Sequence, residues 1–200
     1  MTSTLTRSRR AAAVAVVGGV AIVAALVFWR VNGEEETTVP YDDAQSAGLL
    51  TLCSADGKAV TGGKVDDLPF ADVVLGETAL PSDLDPTGAV ATLFAYQPRE
   101  GVATSEFSGN ALTATAGFAD PTRPAVRVEE DAWSIGDFVA AFPADFDGYL
   151  QLRLYLGTPE VGTLSDQPYD TADLRVDGAD WELVRGGTAS CADAESALLP

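Results

Sequence analysis

One stretch of 19 uncharged, mostly apolar residues runs without interruption from Ala11 to Trp29. At a rise of about 1.5 Å per residue, a helix of this length covers the hydrocarbon core of a bilayer, which is about 30 Å thick. The sequence therefore predicts a transmembrane helix over residues 11–30, preceded by a short tail of residues 1–10. A chain with such a helix is expected to carry a separately folded domain on one side of a membrane.

The charges that flank this stretch predict its orientation. Arginines precede the stretch and an acidic run follows it. Because positively charged flanks stay in the cytoplasm, residues 1–10 are expected inside the cell, and everything after about residue 31 on the outer side of the plasma membrane. The chain is thus expected to contact the lipid bilayer through this helix. The flanking charges are Arg7, Arg9, Arg10, Glu34, Glu35 and Glu36.

A cleaved signal peptide is the alternative interpretation of the same stretch, because it shares the basic start and the apolar run. Here the run is longer than the apolar region of a usual signal peptide. It ends in Phe28-Trp29-Arg30 without an Ala-x-Ala cleavage site, and no cysteine follows closely enough to carry a lipoprotein anchor. The pattern favours a retained helix over cleavage.

The remainder of the chain is strongly acidic. The sequence has 12 basic and 30 acidic side chains, and its first 33 residues hold four arginines and no acid, which leaves 12 − 4 = 8 basic residues against 30 acids, a charge of −22. Such a surface repels phosphate backbones, so no nucleic-acid partner is expected. There is no histidine, which removes the commonest general base and the commonest transition-metal ligand.

Residues 31–47 are polar and acidic and show no apolar period, which predicts a short acidic stalk. From residue 48 to residue 191, short apolar or alternating runs recur at a spacing of about ten residues between Gly, Pro and Asp clusters. We expect an all-β domain over residues 48–191, an immunoglobulin-like or related β-sandwich of about nine or ten short strands. A flexible tail is expected over residues 192–200.

The clearest strand is predicted over residues 149–156, where four leucines alternate with polar residues and imply one buried and one solvent-facing side. Residues 171–176 alternate likewise. They are followed by Asp177-Gly178 and the run 181–184, a pattern typical of a tight hairpin. Further strands are predicted over 49–53, 59–65, 73–75, 89–96, 111–116, 126–128 and 135–142.

The chain also resembles itself at a lag of about 62 residues, a period that can indicate duplication. Residues 64–67 parallel 127–130, and residues 80–85 parallel 142–147. Two similar halves packed as one sandwich are one interpretation of this pattern. The other is that β-proteins reuse a small set of turn sequences.

The two cysteines, Cys53 and Cys191, lie near opposite ends of the predicted domain. On the oxidising side of a membrane a disulfide between them is the natural pairing. Two free or intermolecularly paired thiols are the alternative. Neither cysteine belongs to a Cys-x-x-Cys motif, so zinc and redox sites are excluded.

Acidic pairs precede two of the predicted strands and are the best candidates for a calcium site, because calcium is bound by carboxylates and carbonyls in loops. Ordinary turn chemistry explains the same spacing, since aspartate often bonds its own backbone in a turn. The full calcium-loop pattern is not present. We therefore predict no metal ligand and no cofactor. The pairs are Asp83 with Asp85 and Asp145 with Asp147.

Residues 57–64, GKAVTGGK, have glycines and lysines reminiscent of a phosphate-binding loop, but glycine stands where that motif requires lysine, so no nucleotide partner is expected. Residues 56–62, DGKAVTG, resemble the Asp-Gly-Lys-x-Val-x-Gly opening of prealbumin-like and collagen-adhesin-type repeat modules of bacterial surfaces. The resemblance covers about ten residues, and no function is carried over from it.

Five aromatic residues could form a platform that binds sugars or peptides, but residues of this kind more often belong to the core. They are Trp133, Trp181, Phe138, Phe142 and Phe146.

The sequence predicts a membrane-anchored, extracellular, non-catalytic β-sandwich module that binds another cell-envelope component, protein or glycan. Without histidine, and without Gly-x-Ser-x-Gly, the familiar hydrolase triads are impossible. The alternatives are a small hydrolase of cell-wall glycans that uses two carboxylates, and a calcium-binding surface adhesion module. Scarce lysine beside abundant alanine, valine and aspartate is typical of a high-GC actinobacterial genome.

Overall fold

The computed structural model describes residues 39–199, which form an all-β domain built from antiparallel sheets with little helix. Among these residues no helix has the length and apolar character needed to cross a membrane. The predicted transmembrane helix and cytoplasmic tail lie outside the described residues. The strands are β1 (Ser46–Leu49), β2 (Thr51–Cys53), β3 (Gly62–Lys64), β4 (Val73–Leu75), β5 (Val90–Gln97), β6 (Ser108–Ala111), β7 (Ala116–Gly117), β8 (Ala125–Arg127), β9 (Tyr149–Thr158), β10 (Gly162–Thr163), β11 (Tyr169–Asp177) and β12 (Asp180–Arg185).

These strands form two sheets. The larger follows the order β3-β12-β11-β9-β5-β6, while β1 pairs with β11, β10 with β9 and β7 with β5. The smaller has the order β2-β4-β8. All pairs are antiparallel except β1 with β11, which is parallel. The predicted hairpin is present, since β11 and β12 are joined through Gly178, whose φ of 60° suits a tight turn.

One apolar core is shared by the two sheets. The alternating leucines of β9 meet the apolar positions of β5 and β11. Alternate residues of the small sheet contribute to the same core, because successive side chains of a strand point to opposite faces. The inward residues of the small sheet are Leu52, Val74 and Val126.

Along β9 the outer face of the large sheet is also buried, so the prediction of one solvent-facing side for residues 149–156 is wrong. Gln151, Arg153 and Tyr155 are all under 8% exposed. Alternation fixes which residues share a face, but a distant segment decides whether that face meets water. Here the covering residues include Tyr41 and Phe107, whose rings meet edge to face at 5.5 Å.

Residues 39–47, predicted as part of a stalk, belong to the folded domain. Asp43 is 5% exposed, and β1 begins at Ser46 and pairs with Tyr169. The C-terminal segment is packed likewise: its short 3-10 helix, Ala194–Ala197, buries alanines against the outer face of the small sheet. Each sheet is therefore covered on its outer face by a terminal segment of the described chain.

Cys53 and Cys191 form a disulfide, the pairing that the sequence predicts, with Cα atoms 5.4 Å apart and a sequence separation of 138. The bond links β2 to the segment that leads into the C-terminal 3-10 helix. Around it lies a second apolar cluster, formed by the outward residues of the small sheet. These include Val73, Leu75 and Ala125.

Residues 135–142 form helix α1 (Ile135–Ala141), and the prediction of a strand there is wrong. Ser134 caps the helix: its Oγ accepts a hydrogen bond from the Asp137 amide at 2.9 Å, and the Asp137 carboxylate accepts one from the Ser134 amide. Such a capping box starts helices. Ile135 and Phe138 then share the buried face, at helical spacing.

The two stretches related by the lag of 62 residues differ in structure. Residues 73–75 form β4, whereas residues 135–137 at the corresponding positions begin α1. Likewise β3 lies at an edge of the large sheet, whereas β8 belongs to the small sheet. What the two stretches share is the turn before a central strand: Gly88 and Gly148 both have positive φ, and β5 and β9 follow them and pair.

Candidate functional site

An apolar pocket opens where the end of β9 meets the beginning of β11. Its volume is about 190 Å³. Leucines of β9 and of the β10–β11 connection line it, together with Ala47 of β1 and the loop of residues 78–81. The lining is mainly apolar, with Tyr155, Tyr169 and Gln167 adding polar atoms. Such a site suits an apolar group held by a few polar contacts.

Asp170 holds one wall of this pocket in place. It is 3% exposed, and its carboxylate accepts hydrogen bonds from the amides of Glu77 at 2.6 Å and Thr78 at 2.8 Å, and from the Thr78 hydroxyl. Two glycines make room for it. A Cβ on Gly48 would lie 2.5 Å from Asp170 Oδ1, and one on Gly76 would lie 2.6 Å from Oδ2. Asp170 is thus a positioning residue for the 76–78 loop.

The tyrosines of the pocket join it to a buried polar cluster on the outer face of the large sheet. The rings of Tyr155 and Tyr169 meet at 5.0 Å, and the Arg153 guanidinium lies 4.8 Å from the Tyr169 ring centroid. The Tyr169 hydroxyl donates to Asp43 at 3.1 Å. Burial raises the pKa of Tyr169 above its ordinary value, so the phenol stays protonated and remains a donor.

Asp173 is the centre of a second group of polar side chains on the same face. It is fully buried, and its carboxylate accepts hydrogen bonds from Tyr41 and from Arg185 Nε, each at 2.6 Å. Burial raises the pKa of Asp173, and the two donors oppose that rise. A buried acid with a raised pKa can mark a functional site. Here the segment that contains Tyr41 covers it, which indicates a structural role.

Comparison with known proteins gives no relative for this chain. No protein-family model, no curated protein and no solved structure matches it.

The candidate calcium residues lie in turns, as the competing interpretation predicts. Asp85 Oδ1 accepts from the Thr87 amide at 2.8 Å, which lowers the pKa of this aspartate. Asp147 has a φ of 52°, a conformation common in turns that precede glycine. Asp83 and Asp145 flank the same two turns. Across residues 39–199, no three acidic or cysteine side chains come close enough together to hold a metal ion.

Most of the aromatic residues considered for a platform belong to the core, which is the interpretation that the sequence favours. Trp181 is 3% exposed and packs edge to face on Phe70, while Phe138 is fully buried and stacks on Phe142 at 4.8 Å. Trp133 is the one exposed residue among these five aromatic residues, at 38%, and Phe146 is half-buried. The 57–64 stretch is a turn and an edge strand, β3, with Lys58 paired to Asp56. No helix follows it.

Sequence reasoning did not identify the pocket residues. Three segments far apart in the chain build the site, so no local motif marks it. One usable signal exists. Asp170 stands in the alternation phase of Ala172 and Leu174, where an apolar residue is expected. A buried carboxylate needs hydrogen bonds from neighbouring groups. An acid at this position therefore indicates that a loop with free amide groups packs against it.

Proposed function

We propose that this chain is a membrane-anchored, extracellular, non-catalytic module that binds a partner by receiving one apolar group in the pocket between β1, β9 and β11. The pocket is the observation that carries the proposal. Isolated exposed apolar side chains are ordinary on protein surfaces. A concave, mainly apolar site with a fixed wall is much less common and marks a binding site.

The volume of the pocket limits what it can hold. A cavity of roughly 150 Å³ binds benzene, and sites for drug-sized ligands or cofactors span about 300–1,000 Å³. At about 190 Å³ the pocket fits one ring or one branched aliphatic group. The ligand is therefore a single side-chain-sized group and not a nucleotide or a sugar chain.

The chemistry of the lining supports a non-catalytic role. Asp170 is the one carboxylate among the lining residues, and all three of its hydrogen bonds hold the protein's own loop. Glycoside hydrolysis requires two carboxyl groups about 5–10 Å apart across the bond that is cleaved. A small hydrolase of cell-wall glycans is the alternative function. Release of reducing sugars from peptidoglycan by the purified full-length protein would favour it over the binding module.

The proposed location rests on the apolar stretch of residues 11–29, on its charged flanks and on the disulfide, which forms in oxidising compartments. A C-terminal alkaline phosphatase fusion tests it, since this reporter is active outside the cytoplasm. Activity of the fusion, with the protein in the membrane fraction, is expected. An inactive fusion, or reduced Cys53 and Cys191 in cells, would contradict the proposed location.

We further propose that the two sheets form a β-sandwich of the immunoglobulin-like or a related type. The shared core, with Leu52 and Val74 from one sheet and Leu152 and Leu174 from the other, supports this assignment. A calcium-binding adhesion module is a separate possibility for the same fold. Calcium at millimolar concentration would then raise the melting temperature, because a ligand that binds the native form stabilises it.

The pocket itself is tested with indole, a neutral ring of the size that the volume allows. Indole at millimolar concentration is expected to raise the melting temperature of the full-length protein in detergent. Ala79→Trp places an indole ring at the pocket and should abolish the shift. Ala140→Trp, on the exposed side of α1, is the matched control and should retain it. An equal shift in both variants, or none in the wild type, would reject the pocket.

A further inference from the structure

We propose that the group received by the pocket is an apolar side chain of a partner polypeptide, and that lysine or arginine residues flank it in the partner. This inference rests on the proposed function, because it requires the pocket to bind a ligand. It adds the chemical class of the partner and the charge of its binding segment.

A polypeptide is favoured because the pocket is small and its rim is exposed. One side chain fills about 190 Å³, and burial of a leucine- or phenylalanine-sized group contributes only about 1.5–3 kcal/mol. A free ligand of that size would bind weakly, so useful affinity needs contacts outside the pocket. Exposed residues surround the mouth, and the Gln167 amide among them can bond a peptide main chain. The other exposed rim residues are Ala47, Ala79 and Pro168.

The segments of chain that form the pocket carry charges of one sign. The three segments that line it, residues 45–50, 77–83 and 154–170, contain five acidic residues and no lysine or arginine. Four of the five are exposed, and the fifth, Asp170, is bonded to the 76–78 loop. The five are Glu77, Asp83, Glu160, Asp166 and Asp170.

The nearest arginine in sequence does not neutralise this rim. Arg153 is 2% exposed and pairs with Asp43 under the N-terminal segment. The segments that form the pocket therefore carry net negative charge, which attracts cationic partners and repels anionic ones. Anionic lipid headgroups and acidic peptides are disfavoured by the same field. A partner segment with an apolar side chain between basic residues would bury that side chain in the pocket and place its positive charges near the acidic residues around it.

The test uses full-length protein in neutral detergent and three synthetic nine-residue peptides. The first has a central leucine with two lysines on each side. The second replaces that leucine with alanine, and the third replaces the four lysines with glutamates. We expect the first peptide to bind about tenfold or more tightly than the second, because the leucine side chain is buried. The third should not bind measurably. Affinity for the first should fall as salt rises, since exposed charges are screened.

Two charge-reversal variants distinguish the effect of a charge near the pocket from the effect of the net charge of the protein. Asp166→Lys changes an exposed acid next to the lining residue Gln167, and Asp131→Lys changes an exposed acid that lines a different depression. Both alter the net charge by the same amount. Asp166→Lys should weaken the lysine peptide about tenfold, while Asp131→Lys should change its affinity much less. Ala79→Trp should remove the preference for leucine over alanine.

The outcomes distinguish this inference from the proposed function. Equal binding of the leucine and alanine peptides, equal binding of the lysine and glutamate peptides, or equal effects of the two reversals would overturn the inference. If indole still shifts the melting temperature in any of these cases, the pocket stands and only the partner chemistry fails. If indole has no effect either, both fall.

Discussion

The hydroxyl of Tyr41 donates a 2.6 Å hydrogen bond to the carboxylate of Asp173, which lies 132 residues later in the chain. Through this contact the first described segment covers the polar face of the large sheet. Arg185 Nε is the other donor to this carboxylate, on its second oxygen. The contact thus contributes to the burial of a polar face and ties residue 41 to the folded domain.

Tyr41→Phe should lower the free energy of unfolding by about 1–3 kcal/mol, because a buried carboxylate loses a hydrogen-bond donor and gains none. Chemical denaturation at neutral pH measures the change. Tyr149→Phe is the matched control, since its ring touches Tyr41 but its hydroxyl makes no hydrogen bond within residues 39–199. A loss in the control as large as in Tyr41→Phe would show that the ring, and not the hydrogen bond, matters.

Asp173 should give the domain a distinctive pH dependence. Its pKa is raised in the folded state from an ordinary value of 3.8, so the folded state binds more protons than the unfolded state above that pH. The contribution of this group to stability is therefore largest at low pH and falls as pH rises from about 4 through the raised pKa. Exposed acids with lowered pKa, such as Asp85 and Asp120, act in the opposite sense.

A difference measurement isolates the effect of Asp173. The free energy of unfolding of the wild type minus that of Asp173→Asn should decrease as pH rises through this window. Asp120→Asn should show the reverse trend, because lowered-pKa acids stabilise above their unfolded pKa and lose that stabilisation as pH falls. A wild-type minus Asp173→Asn difference that is flat with pH would mean that burial of Asp173 does not raise its pKa.

Arg153 and Asp43 form a buried ion pair, with Nη2 and Oδ2 3.5 Å apart. Removal of either partner should lower the free energy of unfolding substantially. Arg153→Met is expected to cost about 3–5 kcal/mol, because Asp43 would remain buried without its cation. The rings of Tyr96 and Tyr169 would lose their contacts with the guanidinium as well.

Arg175→Met is the control for Arg153→Met. The Arg175–Glu182 pair is exposed on both sides, and exposed pairs are worth about 0–1 kcal/mol. Urea denaturation of the two variants in parallel compares a buried with an exposed arginine in one domain. Similar losses would contradict the burial of Arg153.

Reduction of the Cys53–Cys191 disulfide should destabilise the domain. The bond joins residues with a sequence separation of 138, for which chain entropy gives about 5 kcal/mol as an upper estimate and removal of native bridges typically costs about 2–5 kcal/mol. Cys53→Ala, Cys191→Ala and the double variant should lose nearly equal stability, since each removes the same bond. Additive losses in the double variant would indicate that the two sulfurs act separately.

Most of the strands and the pairing of the cysteines could be predicted from the sequence, because both follow from local or compositional rules. The strand predicted over 111–116 is instead two short strands, β6 and β7, on either side of it, and β10 was not predicted. Alternating leucines predicted β9, and Asp177-Gly178 predicted the β11–β12 hairpin. The helix at 135–141 was missed although Ser134 and Asp137 have the spacing of a cap, because the following apolar run is short and suits either structure.

What only the tertiary structure decided is the burial of the second face and the existence of the pocket. A period of two residues assigns side chains to faces, and it carries no information on which distant segment will cover a face. Tyr41 and Asp43 were assigned to the stalk because the residues around them show no periodic apolar pattern. They are held in the folded domain by contacts with Asp173 and Arg153, more than 100 residues later in the chain. The pocket is likewise formed by segments that meet only after the sheets assemble.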